Sequence, residues 1–358
     1  MSCDALAPTP PSRPARRRGF LALVAAVLWL SAGWSPLVLA GSPRIETAVR
    51  AVGAISMTVS DLDRSVAFYE QVLSFEKVSE AEVDGDAFEH FAGVFGARAR
   101  VARLKLGDEA IELVEYLAPR GRPIPADSKS NDLWFQHIAI IVSDMDRAYA
   151  ALRRFKVEHA SPSPQTLPAW NENAGGIRAF YFKDPDGHPV EVLWFPPDKG
   201  AAKWHSGSDR LFLGIDHTAI AVADTARSLA FYRDVLGFDV AGESFNYGIE
   251  QERLNSVFGA SLHITGLRAP SGPGIEFLEY LSPRTGRPAP SDLAANDIVH
   301  RQTEVVVPDV EGVAGRVGAA RAPLVSSGVQ HVRALGVEKG IVVRDPDGHA
   351  IALLQRIK

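Results

Sequence analysis

The segment IELVEYLAPRGRP, residues 111–123, returns as IEFLEYLSPRTGRP at 275–288, and DPDGHPVEVLW at 184–194 returns as DPDGHAIALLQ at 345–355. Ahead of these segments in each copy, SDLDRSVAFYEQVLSFEKV (60–78) is answered by ADTARSLAFYRDVLGFDV (223–240), and Val-Phe-Gly recurs at Val94 and Val257. Motifs that recur in the same order, at an interval too long for a solenoid, mean that one fold is built twice. At 358 residues the chain has the length for two ordinary domains, each with its own core. The repetition sets a first module at 50–197 and a second at 213–358. Residues 198–212 between them have the Pro, Gly, Ser and charge content of a linker. One difference stands out inside the repeat: Glu191 interrupts the apolar strand of the first copy, and Ala352 replaces it in the second.

Each module divides again. AISMTV reads as a strand, and after it Val66, Phe68, Tyr69, Val72 and Leu73 recur at helical spacing behind Asp61, a good N-cap. RVARLKL and AIELVEYL follow as strands across a Gly-Asp turn. The pattern then restarts at FQHIAIIVSDMDRAYAALRRF and ends in the hairpin AFYFKDPDGHPVEVLWF, where Pro185 and Gly187 suit a tight turn. The unit is therefore βαβββ, and the chain carries four of them.

The amino terminus has another logic. Arg16, Arg17 and Arg18 precede a short apolar run, and Val38-Leu39-Ala40 offers small residues for cleavage, so residues 1–40 read as a secretory signal cut after Ala40. Arg17 to Leu21 also resembles a twin-arginine export signal; a plain Sec signal and an uncleaved anchor are the alternatives. The expectation is an exported, periplasmic or extracellular protein that leaves the membrane after cleavage. The single cysteine, Cys3, lies in that signal, which leaves no thiol for a disulfide, a nucleophile or a metal site. A net charge of −5 argues against a nucleic-acid partner.

The strand-then-aspartate openings at Asp61, Asp144, Asp224 and Asp309, the Phe-Tyr helix ends and the paired DPDG hairpins resemble the vicinal oxygen chelate superfamily, which includes glyoxalase I, methylmalonyl-CoA epimerase, extradiol dioxygenases and bleomycin-resistance proteins. The resemblance implies an α+β fold, in which pairs of βαβββ units form cup-shaped mixed sheets with the helices outside. It also implies one divalent metal ion (Ni, Co, Zn, Mn or Fe) held by side chains from the first and last strands of each unit. Carried over position by position, it gives Ala54 and Glu112 in unit one, His137 and Glu191 in unit two, His217 and Glu276 in unit three, and Gln302 and Ala352 in unit four. Only units two and three are complete. If each module closed its own cup, both sites would be damaged. If units are crossed between modules, as in glyoxalase I, one cup collects His137, Glu191, His217 and Glu276, and the other is dead.

With two imidazoles and two carboxylates, the resemblance implies a glyoxalase-like lyase or isomerase acting on a small oxygen-chelating substrate, with Glu191 or Glu276 moving the proton. Its rivals are an extradiol dioxygenase using His137, His217 and Glu191, and a metal-free small-molecule binder. Four units can complete their cups within one chain, so a monomer is the simplest expectation and a homodimer the alternative.

Three groups of residues are expected to play lesser parts. His188 and His349 read as solvated turn residues. Arg120, Arg122, Arg284 and Arg287 read as linker residues between units, or as a grip for an anionic substrate. Residues 167–177 read as a loop over the cup mouth, with Trp170 and Asn171 near the substrate. Glu115 and Glu279, three residues beyond Glu112 and Glu276, are expected on the opposite strand face.

Overall fold

In the computed structural model, which describes residues 49–357, each unit opens in the same way. Helices Leu62–Leu73, Met145–Arg154, Thr225–Phe231 and Val310–Ala319 follow directly on Asp61, Asp144, Asp224 and Asp309. Each aspartate is extended, and its carboxylate accepts from the amide three residues on (Arg64, Arg147, Arg227, Gly312), satisfying one of the donors a helix start leaves unpaired. Two further acids finish the job from the last strands: Glu115 accepts from the Leu62 amide and Glu279 from the Thr225 amide. These are the outward members of the Glu112/Glu115 and Glu276/Glu279 pairs.

The strands form two mixed sheets of eight and nine strands, and each sheet takes one unit from each module. In one, the opening strands of unit two (Gln136–Val142) and unit three (Phe212–Val222) pair antiparallel. In the other, Ala51–Thr58 of unit one pairs antiparallel with Arg301–Val306 of unit four. Each opening strand then pairs in parallel with the last strand of its own unit: Glu109–Ala118, Pro189–Trp194, Gly274–Ser282 and Ala350–Arg356 in chain order. The chain is thus crossed, and neither module closes a sheet alone.

Strand alternation lets crossed sheets and intact modules coexist, because successive side chains serve different cores. One face of each sheet packs inside its module: Ile55, Met57 and Leu104 of unit one meet Ile138, Phe180 and Val192 of unit two, and units three and four share a matching core around Tyr232, Phe277, Val305 and Leu353. The other face lines the cups, around Tyr181, Leu262 and Tyr280 in one and around Phe91, Val101 and Leu354 in the other.

The DPDG hairpins tie the two units of a module together. Asp184 accepts from the amides of Asp186 and His188, takes Nδ1 of His188 at 2.8 Å, and receives the hydroxyl of Tyr69 from unit one. Asp186 meanwhile bonds Ser60 and pairs with Arg64. Asp345 repeats the arrangement with His349 and Tyr232, and Asp347 pairs with Arg227. His188 and His349 are therefore buried, not solvated, because the hairpin docks against the neighbouring helix and encloses the ring.

The four arginines between units are paired as well. Arg122 meets Asp292 and Asp297, Arg287 meets Asp127 and Asp132, and Arg120 and Arg284 reach Glu115 and Glu279. Arg122 and Arg287 clasp the two junction segments to each other, whereas Arg120 and Arg284 bond within their own units. Short helices at Asp86–Ala92 and Ile249–Asn255, unforeseen in the sequence, fill the inner faces with Phe88, Phe91 and Leu254. No helix among the described residues is long and apolar enough to cross a membrane. The segment 1–40, expected to be an export signal, lies outside the described residues.

Candidate metal centre

Glu191 lies opposite Ala139 and Glu276 opposite Ala219, so each glutamate stands one same-face position along from the histidine of its own unit, His137 or His217. At the seam between units the antiparallel register sets His217 against Ala139 and His137 against Ala219. Each histidine thus faces a methyl group, which leaves space at the seam for both rings.

The four side chains anticipated from units two and three meet here. His137 Nε2 lies 3.1 Å from Glu191 Oε2, and His217 Nε2 lies 3.7 Å from the same oxygen and 3.3 Å from Glu276 Oε2. One ligand atom each from His137, Glu191 and His217 falls within 4.8 Å of the others; Glu276 adjoins His217 from outside this trio, its side chain about 30% exposed. Neither ring nitrogen of His137, nor Nε2 of His217, has an aligned hydrogen-bond partner, although both rings are buried. Buried polar atoms ordinarily find partners, and unpartnered imidazole nitrogens of His137 and His217 beside two carboxylates form a donor set that suits a divalent cation.

Sequence reading missed the residues behind this cluster. Asp216 Oδ2 takes Nδ1 of His217 at 3.0 Å, and is itself held by Arg268 at 2.8 Å, while Trp204 Nε1 donates to its other oxygen at 3.0 Å. Trp204 comes from 198–212, so that segment docks beside the site instead of merely linking modules. The only sequence sign was an aspartate next to a candidate ligand histidine.

The charges follow from this packing. Burial lowers the proton affinity of His217, but Glu276, Asp216 and Glu191 outweigh it and push its pKa up to about 9, a proton that metal binding must release. Burial lowers that of His137. Burial, Asp216 and Glu191 raise Glu276 despite the opposing pull of His217 and Arg268.

Beside the cluster is a pocket of about 90 Å³, with Leu167, Ile177, Leu254 and Ile264 among its walls, and a wider one of about 420 Å³ reaches His217, Glu276 and Arg268. The loop 167–177 contributes Leu167, Ala174 and Ile177 to the walls. Asn171 and Trp170 are used differently from the expectation: Asn171 bonds Asn246, and Trp170 stacks on Tyr247, both fastening the loop to unit three.

The second cup has the same backbone plan and another content. Ala54 and Ala352 offer no ligand atom, and Glu304 occupies the position equivalent to Ala139 and Ala219. Arg103 binds Glu112 at 2.6 Å and lies 3.5 Å from Glu304, and Arg356 pairs with Glu304. With its acids neutralised internally, this cup retains a cavity of about 30 Å³.

The model of the Glyoxalase/Bleomycin resistance protein/Dioxygenase superfamily matches residues 51–192 and 214–353. The chain is 34% identical over 151 residues to a 2-epi-5-epi-valiolone epimerase of an Actinomyces species, covering 41% of this chain and 80% of that protein. It is 24% identical over 285 residues to catechol-2,3-dioxygenase of Bacillus subtilis, covering 70% and 87%. Glyoxalase I from Zea mays shares the fold at a TM-score of 0.54 and 15% identity, over 85% of this chain and 92% of that one. A putative dioxygenase from Bacillus subtilis does so at 0.54 and 15%, over 87% and 86%. The doubled match spans both modules and every strand of the candidate centre, and on that ground the chain belongs to the Glyoxalase/Bleomycin resistance protein/Dioxygenase superfamily.

Proposed function

We propose that the protein is a divalent-metal-dependent lyase or isomerase that moves a proton on the carbon beside a carbonyl of a small substrate bearing two neighbouring oxygens. The observation that carries this reading is the pair of carboxylates, Glu191 and Glu276, that flank Nε2 of His217. His137, Glu191, His217 and, before substrate arrives, Glu276 would hold the ion, with Ni, Co, Zn, Mn and Fe all compatible with two imidazoles and two carboxylates. Such an ion supplies electrophilic polarisation of the carbonyl. Glu276, on the open side of the cluster, takes the proton from carbon and returns it. Asp216 keeps His217 oriented throughout, and the apolar walls at Leu167, Ile177 and Leu254 exclude water from the carbanion-like carbon. The likeness to an epimerase supports the reading. We place the enzyme outside the cytoplasm, on its amino-terminal signal, as a monomer.

A second reading has its own observation. The tight trio is two histidines and one carboxylate, the set that suits a non-haem iron oxygenase, and one relative is a catechol dioxygenase. Metal analysis of the wild type beside His137→Ala and His217→Ala tests the centre, with loss of stoichiometric metal expected in either variant. Solvent-deuterium incorporation beside a carbonyl then supports the isomerase or lyase, whereas oxygen consumption with a catechol supports the oxygenase. A protein that takes up no metal overturns both.

A further inference from the structure

A cavity of about 510 Å³ lies away from the metal cluster. It lies at one end of the same cup, and Phe135 and Tyr181, the rings packed on His137, form part of its wall. Module two reaches it with Asn255, Ser256 and Arg301.

Arg301 is the unusual member. It is 5% exposed, and its guanidinium donates to the main-chain carbonyls of Gln136 and Pro189 and forms no ion pair with any described carboxylate. A guanidinium has five N–H donors, and two carbonyls carry no countercharge. The nearby acids have other direct partners: Asp184 bonds His188 and Tyr69 and acts on Arg301 only through space, Asp186 bonds Ser60 and Arg64, and Glu158 pairs with Lys183. At the exposed rim Lys129 adds a cation without an ion pair, and Ser128 and Ser130 add hydroxyls. A buried arginine whose donors meet only carbonyls, with no carboxylate in direct contact, gains from an anion that pairs with it.

The repeat supplies an internal control. Lys183 corresponds to Arg344 in the other half, and Arg344 folds inward there to bond the carbonyls of Leu293 and Gly348. Arg301 corresponds to Gln136, which is neutral. The cavity that Arg301 lines thus lies on the side of the repeat that also kept the candidate ligands, and the position of Arg301 is neutral in the other half.

We propose that this cavity is a second binding site, distinct from the metal centre, for a small anion bearing a carboxylate or phosphate group, with Arg301 as its buried counterion and Lys129 at the entrance. The test is calorimetric titration of the purified protein with inorganic phosphate and, separately, with succinate, in wild type, Arg301→Gln, Lys129→Ala and Ala126→Trp, the last placing bulk at the rim. His217→Ala is titrated in parallel, so that binding at the metal centre is separated from binding here.

The expected result is saturable binding of one of the two anions, retained in His217→Ala, weakened at least about tenfold by Arg301→Gln and several-fold by Lys129→Ala, and blocked by Ala126→Trp. Which anion binds distinguishes phosphate from carboxylate ligands. If Arg301→Gln does not fold, the other two variants decide. Binding of neither anion overturns the proposal, as does binding lost in His217→Ala or indifferent to the cavity variants.

Discussion

Asp216 Oδ2 stands 3.0 Å from Nδ1 of His217, and this contact turns the opposite nitrogen of the ring toward Glu191 and Glu276. A carboxylate behind a ligand histidine fixes its tautomer and strengthens its donor nitrogen. Asp216→Asn is expected to lower metal affinity by about 10- to 100-fold, the usual effect of removing such support. Chelator competition on the loaded protein reads this directly, and unchanged affinity would mean that Asp216 serves packing alone.

The two glutamates should separate by role. Glu191 is within reach of both histidines, and Glu276 of His217 alone. Glu191→Gln is expected to lose the metal. Glu276→Gln is expected to retain it while turnover falls about 10²–10⁴-fold, the range for removing a positioned acid–base group. Metal content and solvent-deuterium exchange on the two variants make the comparison; equal metal loss in both would remove the distinction.

The second cup predicts a pH effect on stability. Burial, then the neighbouring Glu304 carboxylate, push Glu112 up to about 8, against the pull of Arg103 and Arg356. Because the folded value lies above the unfolded one, the contribution is fully present below about pH 4.5 and is lost as pH rises through about 8. Between these limits the folded chain holds a proton that the unfolded chain releases, so stability falls by up to about 1.4 kcal/mol per pH unit. Glu112→Gln should flatten that part of the profile in urea melts taken from pH 5 to 8.5. A profile identical to wild type would show that the ion pairs keep Glu112 charged.

Asp184 gathers two amides, a histidine and a tyrosine in one buried place. Asp184→Ala leaves those donors unpaired and should cost about 3–5 kcal/mol, the scale for breaking a buried charged network. Tyr69→Phe removes one neutral donor and should cost about 1 kcal/mol. Denaturant midpoints with unchanged m-values test both, and a small loss in Asp184→Ala would show that water replaces the carboxylate.

Much of this molecule was present in its sequence. The Asp caps, the strand alternation and the repeated hairpins are local features, governed by hydrogen bonds a few residues apart and by the period of the side chains, so order along the chain reveals them. The candidate ligand positions came from the family resemblance, which assigns His137 and Glu191, or His217 and Glu276, fixed places within one unit's pattern.

Other decisions belong to contacts between distant residues. Trp204 and Arg268 reach Asp216 only because separate segments fold beside the seam, and nothing in their own neighbourhoods marks them. His188 looked like a turn residue because its turn is local, whereas its burial depends on Tyr69 and Ile298. The sequence by itself determined four βαβββ units, and through the family resemblance it pointed to the two that could carry ligands. Only the tertiary structure decided that the opening strands of units two and three would pair, since backbone hydrogen bonding is the same for any strand edge and the choice of partner rests on how both faces of each sheet are buried at once.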